Sequence, residues 1–186
     1  MFRIEGKSTF LRDFQLKDLD IYKHWMNSGS KWRDLDGPYY LKPSESEINV
    51  SIEELKQKIN SKSFAKPRTR LVISMKEKDE LIGTVNSYWE SKETNWLCIG
   101  IGIYDPAFWG KGIGFAALTL WINYLFESHP DIVRLDFRTW SGNKGMIRLA
   151  EKLGFKEEAR FRKARIVNKR YYDGLGFGIL KEEWKF

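Results

Sequence analysis

The stretch Phe108-Trp109-Gly110-Lys111-Gly112-Ile113-Gly114-Phe115-Ala116-Ala117-Leu118 decides how the rest of the chain is read. Three glycines at alternate positions lead directly into an apolar helical run. A glycine turn at a helix start leaves several N–H groups without an intrahelical partner. Together with the positive end of the helix dipole they form a pocket for an anion, most often a phosphate. The plainer alternative is a tight turn between strand and helix. Two phosphate motifs are excluded by spacing: the dinucleotide fingerprint fails at Phe115, and the P-loop pattern fails at Asp105, where it needs glycine.

At 186 residues, with 42% hydrophobic and 31% charged residues, the sequence fits one globular domain with a substantial core. No apolar run approaches the roughly 18 residues of a membrane span. The opening residues 1–7 lack the apolar segment of a secretory signal, and the single cysteine, Cys98, cannot form an internal disulfide. A cytoplasmic location is therefore expected, with no membrane partner. Only two histidines, His24 and His129, occur, and they are far apart, so no metal site is expected. The net charge of +7 raises the question of nucleic acid, but basic and acidic residues are interspersed almost everywhere. The one basic concentration is Arg160, Arg162, Lys163, Arg165, Lys169 and Arg170. It reads as a solvated hairpin face or as a groove for a polyanion; nucleic acid is not the expected partner.

Periodicity and turn signals give a coarse map. Thr9–Asp13 is expected to be a strand and Leu16–Met26 a helix. Residues 27–45 read as loop, and Ser51-Ile52-Glu53-Glu54 as a capping box opening a helix from Ile52 to about Asn60. Leu71–Met75 and Leu81–Trp89 form a hairpin about Lys76–Glu80, with Trp96–Tyr104 as the next strand. After the glycine turn come a helix to about Glu127, a strand over Val133–Thr139, and an amphipathic helix over Asn143–Leu153 closed by Gly154. Residues 155–161 and 170–180 make a final strand pair. The order β-α-α-β-β-β-α-β-α-β-β is a mixed α/β plan.

In Leu97-Cys98-Ile99-Gly100-Ile101-Gly102-Ile103, alternation puts the isoleucines on one face and Gly100 and Gly102 on the other. Glycines in register on a strand suggest a close neighbour, either an amide-bearing ligand or a tightly packed helix. The alternation recurs at Gly174, Gly176 and Gly178, where close packing is the only reading.

These features resemble the GNAT superfamily of N-acetyltransferases. The likeness is carried by Ile99 through Gly114, by Asn143 through Ala150-Glu151-Lys152-Leu153-Gly154-Phe155, and by Tyr171-Tyr172-Asp173 with Leu180–Trp184. The last segment is similar to the RimJ/RimL-like branch, which acetylates protein N-termini or small amines. The resemblance spans about residues 8–184. It implies a single GNAT-like domain with a central, twisted, mostly antiparallel sheet flanked by helices. It also implies acetyl-CoA as co-substrate, with its pantetheine amides along residues 100–103 (Ile101, Gly102 and Ile103 among them). The diphosphate would sit on main-chain N–H groups of Lys111, Gly112, Ile113, Gly114 and Phe115, with Trp109 and Gly110 of the same turn also among the coenzyme-binding residues. Asn143 matches the family asparagine that contacts the coenzyme. Trp109 stands where many relatives carry Gln or Arg, and Ala150 stands where many carry the tyrosine that protonates the departing thiolate.

Acetyl transfer needs a free amine, a donor to the thioester oxygen and a proton source for the thiolate. The segment from Trp32 to Tyr40 is unusually aromatic and charged for a loop and follows the first helix, where the family builds its acceptor site. Asp34 or Asp36 could attract or deprotonate a cationic amine between Trp32, Tyr39 and Tyr40, with Tyr172 as a further lining residue. The competing reading makes the aromatics core anchors and the aspartates turn formers. Asp36, Glu90 and Ser141 are the candidate catalytic residues. Cys98 could carry an acyl group only if something activated its thiol, so direct attack on acetyl-CoA is expected. The vacant acid and base positions also admit a non-catalytic acyl-CoA sensor, and the basic hairpin an RNA- or ribosome-associated protein. The acceptor is a small-molecule amine or a protein N-terminus. Eight tryptophans leave room for a homodimer interface.

Overall fold

The structure, a computed structural model, describes residues 2–27 and 29–186. Met1 and Ser28, the latter in the expected loop, lie outside the described residues. Among the described residues there are eight strands: β1 (Arg3–Glu5), β2 (Thr9–Arg12), β3 (Arg70–Met75), β4 (Gly83–Ser91), β5 (Trp96–Ile103), β6 (Arg134–Trp140), β7 (Lys156–Val167) and β8 (Arg170–Leu180). Four α-helices accompany them: α1 (Leu19–Met26), α2 (Glu45–Ser61), α3 (Ile113–Ser128) and α4 (Lys144–Leu153). The strands form one sheet in the order β1-β2-β3-β4-β5-β6-β8-β7. Neighbours are antiparallel except β5 and β6, which run parallel because α3 carries the chain back across the sheet.

Helix α3 is apolar nearly all round, so it is buried rather than amphipathic. Ile113, Ala117, Leu118, Trp121, Ile122 and Leu125 pack with Leu71, Ile73, Val85, Leu97 and Ile99 of the sheet, and with Ala150 and Leu153 of α4. Trp121 is fully buried, and its indole N–H reaches the Asn86 carbonyl at 3.0 Å, so its one polar atom is satisfied. The opposite face of β2–β4 is covered by α1 and α2 through Phe14, Tyr22, Trp32, Val72, Leu81 and Tyr104. Beside them lies Arg12, whose side chain is fully buried. It forks onto Asp18 (Nη1 at 2.6 Å, Nη2 at 2.8 Å) and reaches Asp79 through Nε at 2.6 Å.

Several boundaries differ from the sequence expectation. Helix α2 begins seven residues early, because the working capping box is Ser44 with Glu47, not Ser51 with Glu54. Ser44 Oγ accepts from the Glu47 N–H at 3.3 Å, and the Glu47 carboxylate accepts from the Ser44 N–H at 2.7 Å. Strand β1 was not expected; it pairs residue by residue with β2, Arg3 opposite Arg12. Within the expected loop a short 3-10 turn spans Lys31–Asp34. Strand β7 continues to Val167, past a register shift between Phe161 and Arg165. Gly154 closes α4 in the left-handed region as expected (φ 82°).

One topological detail positions the site. The parallel ladder between β5 and β6 contains only Leu97 opposite Leu135 and Cys98 opposite Asp136. Beyond Cys98 the two strands diverge, and residues 99–103 have no strand partner on that side.

Candidate active site

The strands part to form one wall of a cleft of about 510 Å³. Its first wall is the end of β5 (Ile101, Gly102, Ile103) followed by Phe108, Trp109, Gly110 and the opening turn of α3. Its second wall is α4, which presents Asn143, Gly145, Met146, Arg148, Leu149 and Lys152. Trp32, Leu35 and Asp36 close one end.

The glycine turn takes the form its sequence requires. Gly110 and Gly112 have φ of 73° and 79°, a region that L side chains enter only under strain. A Cβ at either position would meet no protein atom within 4 Å, so these glycines answer a backbone need and leave open space beside them. Gly112 is the N-cap of α3, and the first intrahelical bond runs from the Ala116 N–H to the Gly112 carbonyl at 3.0 Å. The N–H groups of Ile113, Gly114 and Phe115 therefore have no intrahelical acceptor. Gly114 serves close packing instead, since a Cβ there would lie 3.2 Å from Leu149 Cδ2. The Trp109 indole donates to the Ile103 carbonyl at 2.9 Å, fastening the turn to the end of the strand.

The glycine strip of β5 is not bare, as alternation suggested. A Cβ on Gly100 would lie 2.3 Å from Asn86 Oδ1, and one on Gly102 would lie 3.1 Å from the Tyr104 ring. The accessible main chain is the strand edge facing the gap toward β6. Asn143 is committed on both sides. Its Oδ1 accepts from the Met146 N–H at 3.0 Å, and its Nδ2 donates to the Leu35 carbonyl at 3.1 Å. The Trp140 indole donates to the same carbonyl at 2.9 Å. The loop before α2 is thus held against the start of α4, and that tie brings Asp36 to the cleft. Asp36 is exposed along the cleft, with protein crowding the other side of its carboxyl. Burial raises its carboxyl above the usual carboxylate range, against an opposing pull from Arg33.

The other candidates are placed as follows. Trp32 is largely buried; its indole donates to the Trp25 carbonyl at 2.7 Å and its ring lies 4.9 Å from Tyr104, so it is a core anchor that also lines the cleft. Tyr39 and Tyr172 both pack on Trp140, at 6.4 and 4.8 Å, and neither lines the cleft. Tyr40 is exposed against Tyr39, and Asp34 is exposed outside the cleft lining. Lys111 is exposed outside the lining too, its ammonium 5.9 Å from the Phe108 ring. Glu90 is not brought to the cleft: β4 runs antiparallel to β5, so Glu90 lies beside the start of β5, whereas the cleft is at its end. There it faces Arg138 at 3.7 Å and the Cys98 thiol at 4.0 Å. Ser141 ties β6 to β8, its Oγ accepting from the Asp173 N–H at 3.0 Å and its own N–H donating to the Asp173 carbonyl at 2.9 Å. Cys98 is fully buried, and burial pushes its thiol up to about 11, which keeps it protonated. Ala150 is buried in the core.

Residues 9–156 match the family described as acetyltransferase (GNAT) domain. The chain belongs to the GNAT family. GNAT proteins transfer an acetyl group from acetyl-CoA, and this chain is an acetyltransferase of that kind. An uncharacterized N-acetyltransferase, p20 of Bacillus licheniformis, is 28% identical over 176 residues, covering 94% of this chain and 93% of the relative. Two solved GNAT-fold structures superpose over nearly the full length. The ribosomal-protein-S5-alanine acetyltransferase of Vibrio fischeri gives a TM-score of 0.76 at 18% identity, covering 100% of both chains. The spermidine N-acetyltransferase of Vibrio cholerae, in complex with CoA and spermine, gives 0.73 at 21% identity, covering 96% of this chain and 98% of that one. The mixed sheet flanked by helices is the fold these structures share. Among the described residues no helix is long and apolar enough to cross a membrane, and no group of three or more His, Cys, Asp or Glu could hold a metal ion.

Sequence reasoning missed Leu35, Phe108, Gly145, Met146, Arg148, Leu149 and Lys152 as lining residues. The α4 members follow one helical stripe from Asn143, a pattern visible once that asparagine is placed at the cleft.

Proposed function

We propose that residues 8–184 act as one RimJ/RimL-like acetyltransferase unit that moves an acetyl group from acetyl-CoA to a primary amine by direct attack in a ternary complex. The observation that carries this reading is the juxtaposition, in one cleft, of an unpaired strand edge, three main-chain N–H groups without an intrahelical partner, and the Asp36 carboxyl. The strand edge at Ile101–Ile103 suits the pantetheine amides. The N–H groups of Ile113, Gly114 and Phe115 suit the diphosphate. Lys111 contributes long-range positive charge, whereas Trp109 and Gly110 shape the turn. Asn143 orients the site through Leu35.

Asp36 takes the proton from the incoming ammonium. The free amine then attacks the thioester carbonyl carbon, the C–S bond breaks, the new amide nitrogen gives up its extra proton to solvent, and the CoA thiolate leaves and takes a proton from solvent. The protonated, buried Cys98 favours this route over an acyl-cysteine. The activities of the two structural neighbours, on spermidine and on a ribosomal protein, support an amine acceptor entering beside Trp32, Tyr39 and Tyr172.

Initial rates of thiol release across an amine panel test the reading. Intersecting double-reciprocal lines are expected. Parallel lines would indicate a covalent intermediate, and acetyl-CoA binding without turnover on any amine would leave a sensor.

A further inference from the structure

Resting on the acetyl-transfer reading, we propose that the distal half of the β7–β8 hairpin is a docking arm for an acidic polypeptide segment, so that the acceptor is the N-terminal amine of a chain whose following residues carry carboxylates.

From Arg162 to Tyr172 the chain carries Arg162, Lys163, Arg165, Lys169 and Arg170 and no acidic residue. The carboxylates at the base of the hairpin are spent elsewhere. Glu157 and Asp173 hold Arg160 at 2.7 and 2.8 Å, and Glu158 holds Arg134. Asp173 also accepts from the Lys163 N–H at 2.9 Å, and Arg162 pulls on it only from beyond ion-pair distance. None of the arm's cations is in an ion pair among the described residues, and Lys163, Lys169 and Arg170 are exposed. Strand β7 is the last of the sheet, yet a bulge over residues 162–164 and the row of like charges oppose pairing of this edge with a second copy.

The arm is joined to the acceptor end of the site. Arg165 stands opposite Tyr172 in the ladder, and its guanidinium lies 4.6 Å from the centre of the Tyr39 ring. Its Nε is buried with no hydrogen-bond partner. Tyr39 and Tyr172 share Trp140, whose indole holds the Leu35 carbonyl. Asp36 is three residues from Tyr39, at most about 11 Å of extended chain.

Charge selects the occupant. One exposed ion pair is worth little, but several cations acting together near Asp36 repel a polycationic acceptor and attract a polyanion. Asp36 in turn needs a basic amine. The amino groups of nucleobases are conjugated into their rings and carry no proton for Asp36 to take, so a nucleic acid is no acceptor. A polypeptide supplies both parts, an α-ammonium and side-chain carboxylates that match arginine forks. A chain that begins at its amine and runs away in one direction suits an arm on one side of the site. At roughly 3.3 Å per extended residue, its carboxylates meet the arm from about the third residue onward.

The test is initial rates of thiol release by the full chain on three peptides with free N-termini and on spermidine. The peptides share length and first two residues and continue with glutamate, glutamine or arginine. For the wild type, kcat/KM on the glutamate peptide is expected to exceed that on the glutamine peptide by at least about 10-fold at low salt, the sum of several weak pairs. The difference should lie in KM and shrink below about threefold at roughly 0.5 M salt. The arginine peptide and spermidine should fall below the glutamine peptide. Lys163→Gln/Lys169→Gln/Arg170→Gln, its fold checked by a melting curve, should lose the preference while acting on the glutamine peptide within about threefold of wild type. The peptide ranking and the salt series need no variant. Equal rates on the glutamate and glutamine peptides, a preference kept in the folded variant, or spermidine as the favoured acceptor overturns the docking arm, while turnover of any of these amines upholds the transferase reading. An RNA hairpin held by the arm at about 200 mM salt, with no peptide preference, assigns the arm to nucleic acid and overturns it too. Turnover on none of the amines overturns both readings.

Discussion

Replacing Gly112 with alanine separates two demands made at one position. At φ 79° an L-residue costs roughly 1–2 kcal/mol in backbone strain. The new methyl meets no protein atom within 4 Å, so no packing cost is added. For a chain of this size about 1 kcal/mol shifts Tm by about 2–4 °C, so Gly112→Ala should melt roughly 2–8 °C lower. Gly154 supplies the control. Its φ is 82°, the nearest atom to an added Cβ is 3.9 Å away, and it does not line the cleft. Gly154→Ala should therefore melt lower by a similar amount. The two variants should part on ligand affinity. A methyl at Gly112 enters the open space beside the turn, where the diphosphate is proposed to sit, and loss of one hydrogen bond to a charged group, about 1.5–3 kcal/mol, weakens acetyl-CoA binding about 10- to 100-fold. Gly154→Ala should bind as the wild type does. Thermal melts paired with calorimetric titration read both quantities. Equal affinity in the two variants would refute the placement of the diphosphate at this turn.

Two further perturbations test other parts of the argument. Burial raises the Asp36 carboxyl, so the native state favours its neutral form; the associated stability is fully present below the unfolded value near 3.9 and is lost as pH rises through the higher folded value. Asp36→Asn should therefore melt above the wild type at neutral pH but not below about pH 4. It should also lower turnover about 10²- to 10⁴-fold and flatten the acid limb of the rate profile; turnover within threefold of wild type would remove Asp36 from the chemistry. Arg12→Met leaves the Asp18 carboxylate buried without its fork, which should cost about 3–5 kcal/mol and lower Tm by about 6–20 °C. A loss under 2 °C would show that the pair is already hydrated in the native state.

Much of the fold was legible because its signals are local. The Lys76–Glu80 turn, the glycines before α3 and the Gly154 cap each act over a few residues, and the structure has them where the sequence puts them. The α2 boundary was misread because Ser44-x-x-Glu47 and Ser51-x-x-Glu54 are alike as local patterns. The earlier one wins because the added turn buries Ile48, a gain that depends on tertiary packing. Strand β1 is too short for its alternation to register and exists through its pairing with β2. At the site, the turn and Asp36 were readable from residue chemistry, although Asp36 reaches the cleft only through the Leu35 tie. Glu90 was misplaced because strand chemistry says nothing of which end of the neighbouring strand lies alongside. Arg148 and Lys152 resemble a solvated helix face until α3 is set across from them.

The parting of β5 from β6 after Cys98 has a consequence for how this molecule can evolve. A pocket wall built from peptide groups does not depend on which side chains the strand carries, provided the fork between the two strands stays open. On the proposed placement of the pantetheine arm, residues along that rim are then free to drift under packing constraints alone, and donor recognition survives substitutions that would erase a side-chain-built pocket.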